Sequence, residues 1–355
     1  METDNNCVVC RKPHALLTKV LGLCPNCARS ERGLSQARIV HASSRRHFGL
    51  PPAQPRTTDG VLCTLCASSC RIGEGERGFC GLRTAQHERL RHLAGTPRRG
   101  VLHWYRDPLP TNCVADWVCA GNTQCGKHNL AVFYTSCTLD CLFCQNWHFR
   151  EVDVARTNGM TAEELADCAN PHTFCVCYFG GDPASQMPHA LASAKLLAGR
   201  GVTVCWETAG TSNPRLLDRA IQLSLESGGC IKFDLKAYTE ALHITLTGWS
   251  NRQTLANFTR ATRRFHERRN PPLVIASTLL VPGYVDQEEV GRIARFIAEK
   301  DCEIPYALLG FAPNFLMRDL PPTSVRHAEA ARQAALDAGL RNVRIGNRHL
   351  LGHDY

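Results

Sequence analysis

The feature that most constrains the fold is an alternation that begins near residue 127 and runs to the end of the chain. Short apolar or β-branched runs, "LAVFYTS", "TFCVCYFG", "VTVCWETA", "CIKFDLKA", "VIASTLLVP" and "YALLGFA", are each bounded by Gly, Pro or Asn and read as strands. Between and after them lie helical patterns: "TAEELADCAN", "SQMPHALASAKLLAGR", "PRLLDRAIQLSLES", "NRQTLANFTRATRRFHERR", "QEEVGRIARFIAEK" and "SVRHAEAARQAALDAG". Thr, Ser or Asn at helix starts and Gly at several ends agree with capping preferences. Strands this continuously apolar are covered on both faces, so the repeated βα units imply a parallel sheet within an α/β fold. Periodicity alone leaves open whether the sheet curls into a partial (β/α)6 barrel or lies flat and doubly wound; in both, loops at the strand C-terminal ends carry the chemistry.

The front of the chain reads differently, as short irregular stretches rich in Cys, Arg, Gly and Pro. Three parts are expected: 1–56, a zinc-ribbon-like region and linker; 57–126, a cysteine-rich metal or iron–sulfur region; and 127–355, the barrel. Twenty cysteines in 355 residues would suggest disulfides in a small secreted protein. Here the polar start "METDNNC" lacks an apolar leader and no run is long enough to span a membrane, so a cytoplasmic location and metal or redox chemistry are expected. Residues 1–126 carry 17 Lys and Arg against 9 Asp and Glu, and the remainder 24 against 23. Metal-bound thiolates offset part of that front excess, which weakens the case for a nucleic-acid partner.

Directly after the first strand, "TSCTLDCLFCQNW" places Cys137, Cys141 and Cys144 in a Cys-x3-Cys-x2-Cys frame. Three thiolates can hold three irons of a four-iron cluster and leave the fourth open to a ligand. Residues 63–80 supply Cys63, Cys66, Cys70 and Cys80 in the spacing Cys-x2-Cys-x3-Cys-x9-Cys, enough to close a zinc or iron–sulfur site. Cys7, Cys10, Cys24 and Cys27 form two Cys-x2-Cys pairs thirteen residues apart, a ribbon-type zinc spacing. Cys113, Cys119 and Cys125 bind another metal or stand beside the triad. Cys175 and Cys177 share a strand face, and with Cys168, Cys205, Cys230 and Cys302 they read as core packing.

Order and spacing of the motifs from residue 129 to about 315 resemble the radical S-adenosylmethionine (radical SAM) superfamily, and within it the activating enzymes of glycyl-radical enzymes, such as pyruvate formate-lyase activase. "FGGDP", "ETAG", "FDLKA…HITLTGWSN" and "LLVPGYVD" resemble motifs of that group. The resemblance implies an oxidoreductase in which SAM chelates the open iron of a [4Fe-4S] cluster and is cleaved by one electron to a 5′-deoxyadenosyl radical. It further implies that Phe143 packs near the adenine, that Gly180 and Gly181 expose carbonyls to the SAM ammonium, and that Asp182 lies nearby. Glu207, Thr208 and Asp234, with the carbonyl of Lys232, would form a monovalent-cation site beside the SAM carboxylate, and Lys236 would either meet that carboxylate or stand as a surface lysine. The implied partners are a glycyl-radical enzyme as protein substrate and a flavodoxin- or ferredoxin-type reductant. Two alternatives stand: radical modification of another peptide, RNA or a small molecule, and a non-catalytic iron–sulfur carrier or zinc-dependent binding protein. The 126-residue front is absent from the smaller activases.

Overall fold

The computed structural model describes residues 6–111 and 113–355; the polar start, residues 1–5, lies outside them. In chain order the regular elements begin with helices α1 (Pro25–Ala28) and α2 (Leu34–His47) and two small hairpins, β1 (Val61–Leu62) with β2 (Arg71–Ile72) and β3 (Arg83–Gln86) with β4 (Arg89–His92). The main sheet follows: β5 (Leu102–Pro108), β6 (His128–Tyr134), β7 (Thr173–Phe179), β8 (Thr203–Thr208), β9 (Ile231–Asp234), β10 (Val274–Leu280), β11 (Tyr306–Gly310) and β12 (Val343–Gly346). Interleaved are α3 (Ala162–Asp167), α4 (Met187–Gly199), α5 (Pro214–Ser227), α6 (Glu240–Thr247), α7 (Arg252–Thr262), α8 (Gln287–Ala298) and α9 (Val325–Asp337).

The strands stand side by side in sequence order, β12-β11-β10-β9-β8-β7-β6-β5, with β6 to β12 parallel and β5 antiparallel at the edge. This order settles what periodicity left open. A doubly wound sheet needs a reversal of strand order, whereas right-handed crossovers in one direction put every helix on one face. The other face must then curl inward, giving a partial barrel with seven parallel strands. All six expected strands are present. The two that sequence reading passed over are β12, only four residues long, and β5, whose residues are mostly exposed.

Local chemistry fixes the helices. Asn213 caps α5 by accepting from Arg215 N, Pro214 opens the first turn, and Gly228 ends it at φ +82°. Asp286 caps α8 through Glu289 N, and Val290, Ile293, Ala294 and Ile297 turn one apolar stripe to the sheet. On the helix-covered face, Tyr134, Tyr178 and Trp206 of three neighbouring strands stack at centroid separations of 6.3 and 4.6 Å. By period-two alternation the inward residues beside them are Cys177, Cys205 and Glu207.

The front of the chain is docked onto this barrel. Tyr284, in the loop after β10, donates to Leu23 O at 2.8 Å, Thr18 Oγ1 donates to Asp319 at 2.7 Å, and Arg29 pairs with Asp286 at 2.6 Å. Trp206 is 1% exposed within the stacked row. Trp206→Ala should therefore cost about 3–5 kcal/mol by chemical denaturation; a loss under about 1 kcal/mol would contradict the packing role assigned to the row.

Candidate functional site: a three-thiol loop at the barrel mouth

Because β6 to β12 are parallel, their C-terminal ends share one rim, and the triad loop leaves β6 at that rim. The chain turns at Ser136, whose φ of +97° is unusual for a residue with a Cβ. The turn lets Ser136 O accept from Asp182 N at 3.2 Å, at the end of β7. Gly181 passes so close that a Cβ there would lie 2.1 Å from Tyr134 O, and one on Gly180 would overlap the Phe133 ring at 2.0 Å. Only glycine lets these strand ends meet. On the other side, Asp140 N and Leu142 N donate to Thr247 O and Leu246 O at the end of α6, and Leu316 N donates to Leu142 O.

A buried polar chain holds the loop from within. The carboxylate of Asp140, between Cys137 and Cys141, meets His41 Nδ1 of α2 at 2.9 Å and Arg150 Nη2 at 3.3 Å, with all three side chains at most 5% exposed. His41 Nε2 donates in turn to Thr245 O at 3.0 Å. The Arg150 guanidinium lies over the Phe315 ring at 4.7 Å. His41 and Arg150 carried no local motif, and sequence reading missed both.

Burial pushes all three triad thiols up, Cys141 to about 12, while Lys236 pulls Cys141 and Arg150 pulls Cys144 the other way. Unaided they remain thiols, and metal coordination is what would deprotonate them. Lys236 is itself largely enclosed, its side chain 11% exposed. Burial alone would lower it, but Asp234 and Cys141 together raise it above its ordinary value. It hydrogen-bonds Asp234 and stands 5.6 Å over the Phe143 ring, and Asp234 Oδ1 is buried without a partner. A cation and an open acceptor thus flank the thiols.

Other expected contacts are not assembled. Asp182 spends its oxygens on Ala184 N at 2.7 Å, Ala209 N at 2.6 Å and Thr208 Oγ1 at 3.2 Å, so it fastens the end of β7 to that of β8 rather than facing a ligand. The cation set is dispersed: Glu207 pairs with Lys232 at 3.2 Å, Thr208 with Asp182, and Asp234 with Lys236. Glu207 and Thr208 are adjacent in a strand, so their side chains point to opposite faces.

The front cysteines behave as two units. Cys7, Cys10, Cys24 and Cys27 are, among the described residues, the one set whose ligand atoms all lie within 4.8 Å of each other. Cys10 Sγ and Cys24 Sγ are 3.7 Å apart, close to the edge of about 3.8 Å that a tetrahedron with 2.3 Å metal–sulfur bonds has. Burial raises Cys7, but amides of Cys10, Cys24 and Val9 outweigh it and bring the thiol down to about 6. The set suits one thiophilic ion.

Cys63, Cys66, Cys70 and Cys80 are not drawn together within 4.8 Å in this way. Their unit leans on the loop after β8 through Ala67 N to Thr211 O, 2.8 Å, and touches the triad loop through Ser136 Oγ to Cys80 O, 2.7 Å. Arg83, 1% exposed, reaches Cys80 Sγ at 3.6 Å, while its Nε and Nη2 find no partner. A buried guanidinium so poorly matched calls for nearby negative charge, which a thiolate centre supplies.

A curled sheet of parallel strands with an open three-thiol site at its mouth is the architecture of a radical SAM domain. Residues 131–297 match the Radical SAM superfamily, a family that implies SAM and a [4Fe-4S] cluster. The chain is 24% identical over 312 residues to an uncharacterized protein of Methanocaldococcus jannaschii, covering 83% of each. It is 31% identical over 147 residues to the isethionate sulfite-lyase activating enzyme of Oleidesulfovibrio alaskensis, covering 40% of this chain and 45% of that enzyme. A domain of a pyruvate-formate lyase-activating enzyme from Bacteroides vulgatus aligns with a TM-score of 0.40 and 18% identity, over 49% of this chain and 99% of that one. No helix among the described residues is long and apolar enough to cross a membrane.

Removing one partner of a buried ion pair costs about 3–5 kcal/mol because the other charge is stranded. His41→Ala should therefore speed loss of triad iron to a chelator by about tenfold or more. An unchanged rate would show that the Asp140 contact does not hold the loop.

Proposed function

We propose that the chain is a radical SAM oxidoreductase that cleaves SAM reductively and takes a hydrogen atom from a glycine of a partner glycyl-radical enzyme. The observation that carries the reading is the triad loop itself: three thiols, Cys141 buried and Cys137 and Cys144 half-buried, at the C-terminal rim of a parallel barrel, flanked by Lys236 and Arg150. When bound, the cluster and SAM supply a carbon-centred radical whose C–H product bond is stronger than that of a glycine Cα.

The remaining work falls to the residues of this chain. Phe143 offers an apolar ring for the adenine, and Gly180 and Gly181 leave carbonyls free for the SAM ammonium. Lys236 places its ammonium where the SAM carboxylate would sit, and Asp182 holds the two strand ends in register. Zinc in the Cys7–Cys27 set makes the front a rigid clamp on the barrel, and the Cys63–Cys80 unit holds zinc or an auxiliary cluster beside the triad. A flavodoxin- or ferredoxin-type protein is the electron source. The similarity to an isethionate sulfite-lyase activating enzyme supports a protein substrate, and the excess of Lys and Arg in the front offers a docking surface.

A second reading keeps the radical chemistry and changes the target. The barrel encloses a cavity of about 780 Å³ that reaches Gln145 and Asn146 just past the triad, a size suited to a small molecule.

Anaerobic reconstitution with iron and sulfide, followed by SAM and dithionite, should yield 5′-deoxyadenosine with the native chain and none with Cys141→Ala, which should keep its front zinc. Product from Cys141→Ala would overturn the site. With a glycyl-radical enzyme encoded nearby as partner, a glycyl-radical electron paramagnetic resonance doublet is expected; SAM cleavage without it favours the small-molecule reading.

A further inference from the structure

Six cysteines outside the three sites above line one chamber, the hollow of the barrel below the triad. Four come from the wall: Cys175 and Cys177 of β7, Cys205 of β8 and Cys230 just before β9. Cys177 lies opposite Cys205, and Trp206 opposite Ile231, which sets Cys205 against Cys230. Three thiols thus form a row across adjacent strands, which are spaced about 4.8 Å apart. Cys113 and Cys119 approach from the segment that plugs the hollow between β5 and β6.

Core packing, which the sequence suggested for the wall cysteines, describes part of this arrangement: Cys177, Cys205 and Cys230 pack with Ala115 and Ile275. Two of the sulfurs, those of Cys113 and Cys177, also face a buried ammonium. Lys232 is 2% exposed, and its Nζ stands 2.9 Å from Cys113 Sγ, 3.2 Å from Cys177 Sγ and 3.2 Å from Glu207 Oε2. The Glu207 carboxylate supplies one anionic neighbour for this ammonium, and the two sulfurs against it add to that charge only as thiolates. Metal binding would hold them in that state, and their residual negative charge would then receive the Lys232 N–H groups.

One pair is already close: Cys205 Sγ and Cys230 Sγ are 3.8 Å apart, the edge of a tetrahedral thiolate site. The four sulfur atoms of Cys113, Cys177, Cys205 and Cys230 together are not gathered within 4.8 Å of one another, a spread that suits a multi-iron cluster better than one ion, and the chamber has room for more than one metal atom. We propose that Cys113, Cys177, Cys205 and Cys230 hold a thiolate-bound metal centre inside the barrel, with Lys232 donating to its sulfur atoms and Cys119 and Cys175 at its rim. Thiolates select iron–sulfur clusters or a single borderline ion such as zinc. Bound there, the centre would form the floor of the cavity whose mouth carries the triad.

The test compares metal content in the full chain and in a Cys205→Ser/Cys230→Ser variant, loaded anaerobically either with ferrous iron and sulfide or with zinc alone. The native chain should exceed the variant by about two to four irons with matching sulfide, or by about one zinc, and Cys141→Ala should retain that increment. A difference confined to the iron arm identifies a cluster, and one confined to the zinc arm a mononuclear site. Cys113→Ser, in the plug and outside the sheet, must lose the same increment. Equal metal and sulfide in native chain and Cys113→Ser would overturn the proposal even if the double variant failed to fold.

Discussion

The buried carboxylate of Asp140 is the point on which the rest of the structure turns. It sits inside the triad loop with no exposure to water, so its charge is tolerable only while His41 and Arg150 face it. His41 belongs to α2, far forward in the chain, and Arg150 follows the loop. One residue therefore couples the cysteine-rich front, the triad and the barrel rim. The glycine pair 180–181 completes the arrangement by letting the end of β7 lie against the loop backbone.

Charge around the barrel follows a common pattern. Three of the four thiol-rich sites have a largely enclosed cation beside them: Lys236 and Arg150 at the triad, Arg83 at Cys80, and Lys232 among the inner cysteines. Buried cations are costly without anions, and free thiols are poor anions at neutral pH. The pattern is coherent once the sulfurs are thiolates on metal, with the lysines and arginines balancing the negative charge that remains.

Much of this was legible in the sequence because it is periodic or locally spaced. Six strands, the helices that follow them and the cysteine spacings are written within a few residues of each other. What was not legible depends on tertiary placement. β5 escaped because an edge strand such as "LHWYRDP" buries no consistent face, and α6 was subsumed in the "HITLTGWSN" motif. The side chains of the expected cation set take other partners, Glu207 with Lys232, Thr208 with Asp182 and Asp234 with Lys236, pairings that no sequence period foretells. Asp182 could not be seen to brace the turn after β8, nor His41 to reach Asp140 across 99 positions, since neither contact has a sequence period. The inner cysteines looked like ordinary apolar strand residues until the register aligned them.

The central claim is that the triad leaves one iron open and that SAM occupies it. Electron–nuclear double resonance on the reduced protein, with SAM carrying nitrogen-15 in its amino group and oxygen-17 in its carboxylate, tests this without reference to any substrate. Hyperfine coupling of both labels to the reduced cluster is the expected result. A cluster signal indifferent to labelled SAM would contradict the account, because the site would then hold iron without an open position for the ligand.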